Sequence, residues 1–253
     1  MQDVKDWFAT PLGQQVLASE ERVLEQLLPG FFGYHLLQLS PQQAPLFSSS
    51  VIQHKLKLTE GVENKLLTGD SMSADATELP FSEDSIDVVL LHHLLEFHHD
   101  PQKLLREVSR IALPMGQLVI VGFNPLSLWG ACQPVGRLRN KAPWTGKFIP
   151  PGKLMDWLNL LNFKIDRAQY CLYGWPTLRS TSKLPDFSQG LSRNANLPFG
   201  GIYIIVARKQ VGSMIKVRPV WQRTPAFGRL SVVPPARPAA GRGLTTRDFP
   251  PEE

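Results

Sequence analysis

Between Thr10 and Leu28, apolar side chains recur at Val16, Leu17, Val23, Leu24, Leu27 and Leu28. That spacing lays one stripe along a helix, and Pro29 and Gly30 end it. The pattern then shortens. Residues 31–39 (FFGYHLLQL) read as a strand, and residues 51–58 (VIQHKLKL) alternate with the two-residue period of another. A weak third strand is expected within 65–72. Residues 86–91 (IDVVLL) form a continuous apolar run, which suits a strand buried on both faces of a parallel sheet. Asp100 is a natural N-cap and Pro101 fits the first helical position. The helix they open carries Leu104, Leu105, Val108, Ile111 and Ala112 on one stripe, and Pro114, Met115 and Gly116 break it before a buried strand over 117–123. Pro150 and Pro151 precede a helix over 153–161, and strands follow at 163–172 and 202–209. The stretch 173–201 is rich in Gly, Pro, Ser and Asn and reads as a long loop, so the last two strands have no helix between them. Alternating strands and helices predict a doubly wound α/β sheet with an antiparallel edge hairpin. No internal repeat is present.

Composition adds a boundary. The chain has 253 residues, 43% of them hydrophobic and 19% charged, an ordinary globular balance. Its net charge of +5 is uneven. Residues 211–253 hold seven basic residues (Lys216, Arg218, Arg223, Arg229, Arg237, Arg242 and Arg247) against Asp248, Glu252 and Glu253, together with seven prolines. A segment with so little apolar periodicity cannot offset its chain entropy by burial. It is expected to be a disordered basic tail, either a solubilising extension or a contact for RNA or an acidic membrane surface. The expected organisation is an N-terminal helical segment (1–30), an α/β domain (31–210) and this tail (211–253). Cys132 and Cys171 have no ligand-like spacing around them. The N-terminus lacks a basic start followed by an apolar run, and no stretch reaches the roughly 18 apolar residues of a membrane helix. A cytoplasmic protein without a membrane span is the expectation.

The chemistry gathers in residues 74–130, ADATELPFSEDSIDVVLLHHLLEFHHDPQKLLREVSRIALPMGQLVIVGFNPLSLWG. An acid is followed by LPF, an acidic turn, a strand, a loop ending in Asp-Pro, a helix and a second core strand. In that order this resembles the second half of a class I, Rossmann-like S-adenosylmethionine-dependent methyltransferase of the type 11 group. Within the group it is most similar to a bacterial branch with FNP after the last of these strands and a degenerate glycine-rich motif. The resemblance implies a seven-stranded sheet with an antiparallel last strand, S-adenosylmethionine as cofactor, and a small molecule or RNA as methyl acceptor.

Ligands of open α/β sheets sit outside the carboxyl ends of the strands. The resemblance places Asp75 after the third strand, where its carboxylate accepts from the adenine amino group with the Ala76 backbone beside it; the alternative is a local Asx-turn. Leu79, Pro80 and Phe81 read as packing and turn residues, and Asp87 as a structural residue capping its own turn. His92 and His93 follow strand four, where the family faces the sulfonium and the acceptor. His92 is the candidate cofactor contact and general base. Glu60, before Gly61, is the nearest acid for the ribose hydroxyls. In HHLLEFHH, four imidazoles stand beside Glu96, with His98 and His99 closing the run. A metal site is set aside there, because no second ligand cluster is visible and adjacent side chains point apart. Asn124-Pro125 is not the NPPY signature of amino-group methyltransferases, since it follows strand five rather than strand four. Trp129, Trp144, Trp157 and Trp175 surround the segment that would cover the site. They allow an aromatic lid, although Trp157 lies among helical leucines and reads as core.

One departure stands out. The family's loop after strand one is glycine-rich, letting the backbone pass close to the cofactor. Residues 36–50 (LLQLSPQQAPLFSSS) contain no glycine, and Pro41 and Pro45 remove two N–H groups. Three readings follow: an active methyltransferase with an unusual loop, a binding or scaffold protein that has lost the cofactor, and an RNA-associated protein acting through its tail. They divide on whether the loop admits a nucleoside.

Overall fold

A strand apolar on both faces must be covered on both, and this chain supplies helices for each side. The computed structural model describes residues 2–42, 44–59, 71–72, 75–138, 141–176 and 197–210. The strands are β1 (His35–Leu39), β2 (His54–Leu58), β3 (Ser71–Met72), β4 (Ile86–His92), β5 (Ala112–Phe123), β6 (Phe163–Cys171) and β7 (Ile202–Lys209). The helices are α1 (Gln2–Phe8), α2 (Pro11–Leu27), α3 (Pro101–Ile111), α4 (Leu128–Arg137) and α5 (Pro151–Leu160). The strands form one seven-stranded sheet in the order β3-β2-β1-β4-β5-β7-β6. Strands β1 to β5 pair in parallel, and β7 runs antiparallel to both β5 and β6. The predicted α/β sheet with its antiparallel last strand is the observed one.

Alternate residues serve the two faces. Leu37, Val89, Leu91, Leu118 and Ile120 turn toward α3 and α5, which contribute Leu104, Leu105, Val108, Leu154 and Leu158. Leu36, Val88, Leu90, Val119 and Val121 turn toward α1 and α2, which contribute Val4, Phe8, Val16, Leu17 and Leu24. Both principal helices are capped: Thr10 Oγ1 accepts from Gly13 N at 3.1 Å, and Asp100 Oδ1, the N-cap expected from the sequence, from Lys103 N at 2.9 Å.

Three local readings are corrected. Pro114 to Gly116 do not separate helix from strand; β5 starts directly after α3 and runs through them, with Met115 at φ 67°. Helix α4 was not expected: Gly130, Pro134 and Gly136 lower its propensity, and it is held instead by the Ser127 cap and the burial of Trp129. Asp87 does not cap its own turn. Its Oδ2 accepts from Tyr34 N and His35 N, each at 2.9 Å, and so fixes the start of β1. Gly33 passes beside it at φ 154°, where a Cβ would lie 2.3 Å from the Asp87 Cβ. Replacing Asp87 by alanine strands two donors that now share a carboxylate. A stability loss of about 1–3 kcal/mol is expected, read as a lower urea midpoint.

The connection from β1 to β2 positions everything that follows. In a doubly wound sheet, a parallel crossover of this kind is usually a helix. Among the described residues 40–53, no helix forms. The face that such a helix would cover is taken by α2, arriving from the N-terminus. Among the described residues, no helix is long and apolar enough to cross a membrane.

Candidate functional site

Strand order reverses between β1 and β4, so the crevice that open α/β sheets use for ligands lies at the carboxyl ends of these two strands. Ser40 follows β1 and His92 ends β4. The Ser40 hydroxyl and His92 Nδ1 are 3.0 Å apart, a hydrogen bond directly across the switch point.

A residue from outside both strands completes the arrangement. Glu20, in the middle of α2, places Oε2 2.8 Å from His92 Nε2 and Oε1 2.6 Å from His93 Nε2. Side chains of adjacent residues in a strand point to opposite faces. His93 escapes that rule because it lies just beyond the strand with φ 46°, which swings its ring back to the carboxylate that His92 faces. The expectation that the two histidines diverge is therefore corrected. His93 Nδ1 meets Glu96 Oε2 at 2.9 Å, and Glu96 Oε1 accepts from Phe123 N. Gly122 makes room: a Cβ there would lie 2.6 Å from the Tyr203 hydroxyl and 3.0 Å from Glu96 Oε1.

The whole cluster is buried. Glu20, Ser40, His92 and His93 have no exposed surface, and Glu96 has 2%. The Phe8 ring lies 5.4 Å from His92 and 5.6 Å from His93, and Phe123 lies 4.2 Å from His93. Burial pushes the Glu20 carboxyl up, but the facing imidazoles of His93 and His92 outweigh it and hold the group at about 2. Burial pushes the His93 imidazole down, and Glu20 with Glu96 reverses this, lifting it to about 10. For His92 burial prevails over Glu20 and the imidazole is held below its usual value. Ser40, His92 and Glu20 thus share the connectivity of a nucleophile, a base and an orienting acid. None of the three has exposed surface.

The loop after β1 satisfies its own backbone. Gln42 N donates to Ser40 Oγ at 3.2 Å, Ala44 N to Gln42 Oε1 at 3.2 Å, and Leu46 N to Gln38 Oε1 at 2.8 Å. The Gln38 and Gln42 side-chain amides both donate to Ala44 O at 3.1 Å. Ser40 N is bonded to Leu58 O at 3.3 Å. With Pro41 and Pro45 contributing no N–H, the described part of this loop presents no unbonded amide to the crevice between 40 and 46.

Asp75 is exposed after β3, and its Oδ1 accepts from both the backbone N and the hydroxyl of Thr77, each at 2.8 Å. These bonds, the backbone one foremost, hold its carboxyl below the usual range. Ala76 beside it is buried. Glu60 and the basic tail lie outside the described residues. Between α1 and the loop after β4 is a cavity of about 310 Å³, lined by Asp3, Phe97, His98, His99, Thr145 and Lys147 among others. Of the four tryptophans considered for a lid, Trp129 is fully buried and packs with Trp7, Phe123 and Trp144, while Trp157, on α5, packs against the core. The first three rings belong to a core, and only Trp175 is largely exposed.

Sequence reasoning overlooked Glu20 and Ser40. Glu20 had a signal: it falls three residues after Leu17 and four before Leu24, on the helical stripe that is otherwise apolar. A charge at a core position requires a partner.

A family model described as "Methyltransferase domain" matches residues 37–120. The uncharacterized protein YafS of Escherichia coli K12 is 32% identical over 207 residues, covering 81% of this chain and 80% of YafS. A demethylmenaquinone methyltransferase of Renibacterium salmoninarum is 38% identical over 55 residues, 22% of this chain and 23% of that protein. Among solved structures, a SAM-dependent methyltransferase of Thermotoga maritima superposes with a TM-score of 0.60 at 17% identity, covering 83% of this chain and 95% of that one. A second, from Archaeoglobus fulgidus, gives 0.52 at 19% identity over 75% of this chain and 93% of that one.

Proposed function

The chain belongs to one family with YafS of Escherichia coli, carries a methyltransferase domain over residues 37–120 and has the class I, Rossmann-like methyltransferase fold, and from that premise we propose that it works as a binding or scaffold module that keeps this fold without a methyl-donor site. The observation that carries this reading is Glu20, seated without exposed surface between His92 and His93 where β1 and β4 part. S-adenosylmethionine does not fit that edge. Its methionine and ribose need a backbone they can approach and free N–H donors. Here the described N–H groups of residues 40–46 are bonded internally, two positions are proline, and among the described residues 40–53 no helix presents an N-terminus. Residues 211–253 carry a net positive charge, which favours an RNA partner. Its mark is an affinity that falls with salt and disappears when the tail is removed. The free thiols of Cys132 and Cys171 accord with a cytoplasmic location.

A second reading keeps the activity: methyl transfer from S-adenosylmethionine to a small molecule or RNA. It is favoured by the family match and by Asp75, exposed after β3 with one carboxylate oxygen beyond the Thr77 turn. In that reading Asp75 and Ala76 take the adenine, Glu60 the ribose, and His92 the side facing the acceptor.

Thermal unfolding separates the two. A donor site of about 10 μM affinity, given roughly 1 mM S-adenosylhomocysteine, adds about 2.7 kcal/mol. For a chain of this size that raises Tm by about 5–10 °C. The binding-module reading expects no change in Tm, and a rise of that size favours methyl transfer.

A further inference from the structure

We propose that Glu20, His92 and His93 form the binding site of one divalent transition-metal ion of the zinc class, which clasps α2 to the carboxyl end of β4. This stands on the cluster alone, whether or not S-adenosylmethionine binds elsewhere on the chain.

The donor geometry comes first. One ligand atom from each of the three residues lies within 4.8 Å of the others. The two Nε2 atoms face the two oxygens of a single carboxylate, at 2.8 and 2.6 Å. A nitrogen and an oxygen held at about 2.0–2.2 Å from one tetrahedral zinc ion lie about 3.3–3.6 Å apart, so the two present N···O pairs at 2.8 and 2.6 Å open by about 0.5–1 Å to admit an ion. Two imidazoles with a carboxylate taken through both oxygens supply four donors, a complete shell. Imidazole and carboxylate without thiolate suit zinc, cobalt or nickel.

The second observation is what holds the ligands. Histidines that bind metal through one ring nitrogen give the other to an acceptor that fixes tautomer and orientation. His93 Nδ1 meets the Glu96 carboxylate at 2.9 Å, and His92 Nδ1 meets the Ser40 hydroxyl at 3.0 Å. Both Nε2 atoms are therefore left for a shared ligand. The third observation is charge. Two carboxylates, Glu20 and Glu96, are buried together, and among the described residues neither is paired with a lysine or arginine. A divalent ion balances both with the imidazoles neutral, which removes the cost of a net buried charge. The fourth is the backbone. His93 adopts φ 46°, a conformation unfavourable for a non-glycine residue. Its effect is to bring the donors of two adjacent residues to one point. Full burial leaves no open coordination position, so the ion is structural, joining the N-terminal helices to the sheet.

The alternative is a metal-free hydrogen-bonded network among the same side chains. The full-length chain, purified without a metal-binding tag and stripped with a chelator, is titrated with cobalt(II). The expected result is one equivalent bound, with the intense visible absorption of a four-coordinate site that zinc then bleaches. Glu20→Gln and His93→Gln should weaken binding by more than tenfold, with circular dichroism confirming that they are folded. Ser40→Ala keeps every ligand and removes one outer hydrogen bond, so it decides the matter if a ligand variant does not fold. About tenfold weaker binding is expected there, and unchanged affinity overturns the site. A folded chain that binds no stoichiometric cobalt overturns the proposal. So does an absorption that persists undiminished in both ligand variants, which would put the metal at other residues.

Discussion

Glu20→Ala should lower folding stability by about 3–5 kcal/mol, the cost of removing one member of a buried charged network. The carboxylate holds two imidazoles at once, and nothing else within the described structure replaces it at either Nε2. Its loss leaves His92 and His93 facing a cavity under α2, out of reach of water. The matched control is Glu25→Ala on the exposed side of the same helix, expected to change stability by less than about 0.5 kcal/mol. Urea unfolding of the two variants under identical metal conditions makes the comparison. Equal midpoints would mean that Glu20 does not anchor α2.

Phe123→Ala should cost about 3–5 kcal/mol, as expected for truncating a fully buried aromatic side chain. The ring joins elements far apart in sequence. It stacks on Phe148 at 5.0 Å and on Trp129 at 5.7 Å, meets Trp7 edge-on at 5.8 Å, and lies 4.2 Å from His93. Through these contacts α1, α4 and the segment around Phe148 share one core with the end of β5. Besides the lower unfolding midpoint, the variant should show red-shifted tryptophan emission as Trp7 and Trp129 become wetter. A variant with unchanged emission and midpoint would mean that this aromatic cluster does not hold the N-terminal helices to the sheet.

Both effects explain how far the sequence could be read. The strands at 86–91 and 202–209 and the helix after Asp100 were legible because their patterns are long and their caps local. Helix α4 was hidden because tertiary burial of Trp129 overrides a poor intrinsic propensity. The missing glycines of residues 36–50 identified the place where the chain departs from its family, but not what replaced them. That answer needs Gln38, Gln42 and Ser40 as hydrogen-bond partners of the loop, which is a matter of conformation. The convergence of His92 and His93 depends on one positive φ, and their link to Glu20 spans more than seventy residues of sequence. Only the misplaced charge on an apolar stripe could have announced it.

The carboxyl edge between β1 and β4 is filled by the chain's own Glu20, Ser40, His92 and His93. Isothermal titration calorimetry of the full-length protein with S-adenosylmethionine, and separately with S-adenosylhomocysteine, tests it most directly. The account predicts no saturable heat at millimolar ligand from a chain shown folded by circular dichroism. Saturable micromolar binding that disappears in Asp75→Ala would contradict it and return the chain to the methyltransferases that use the donor.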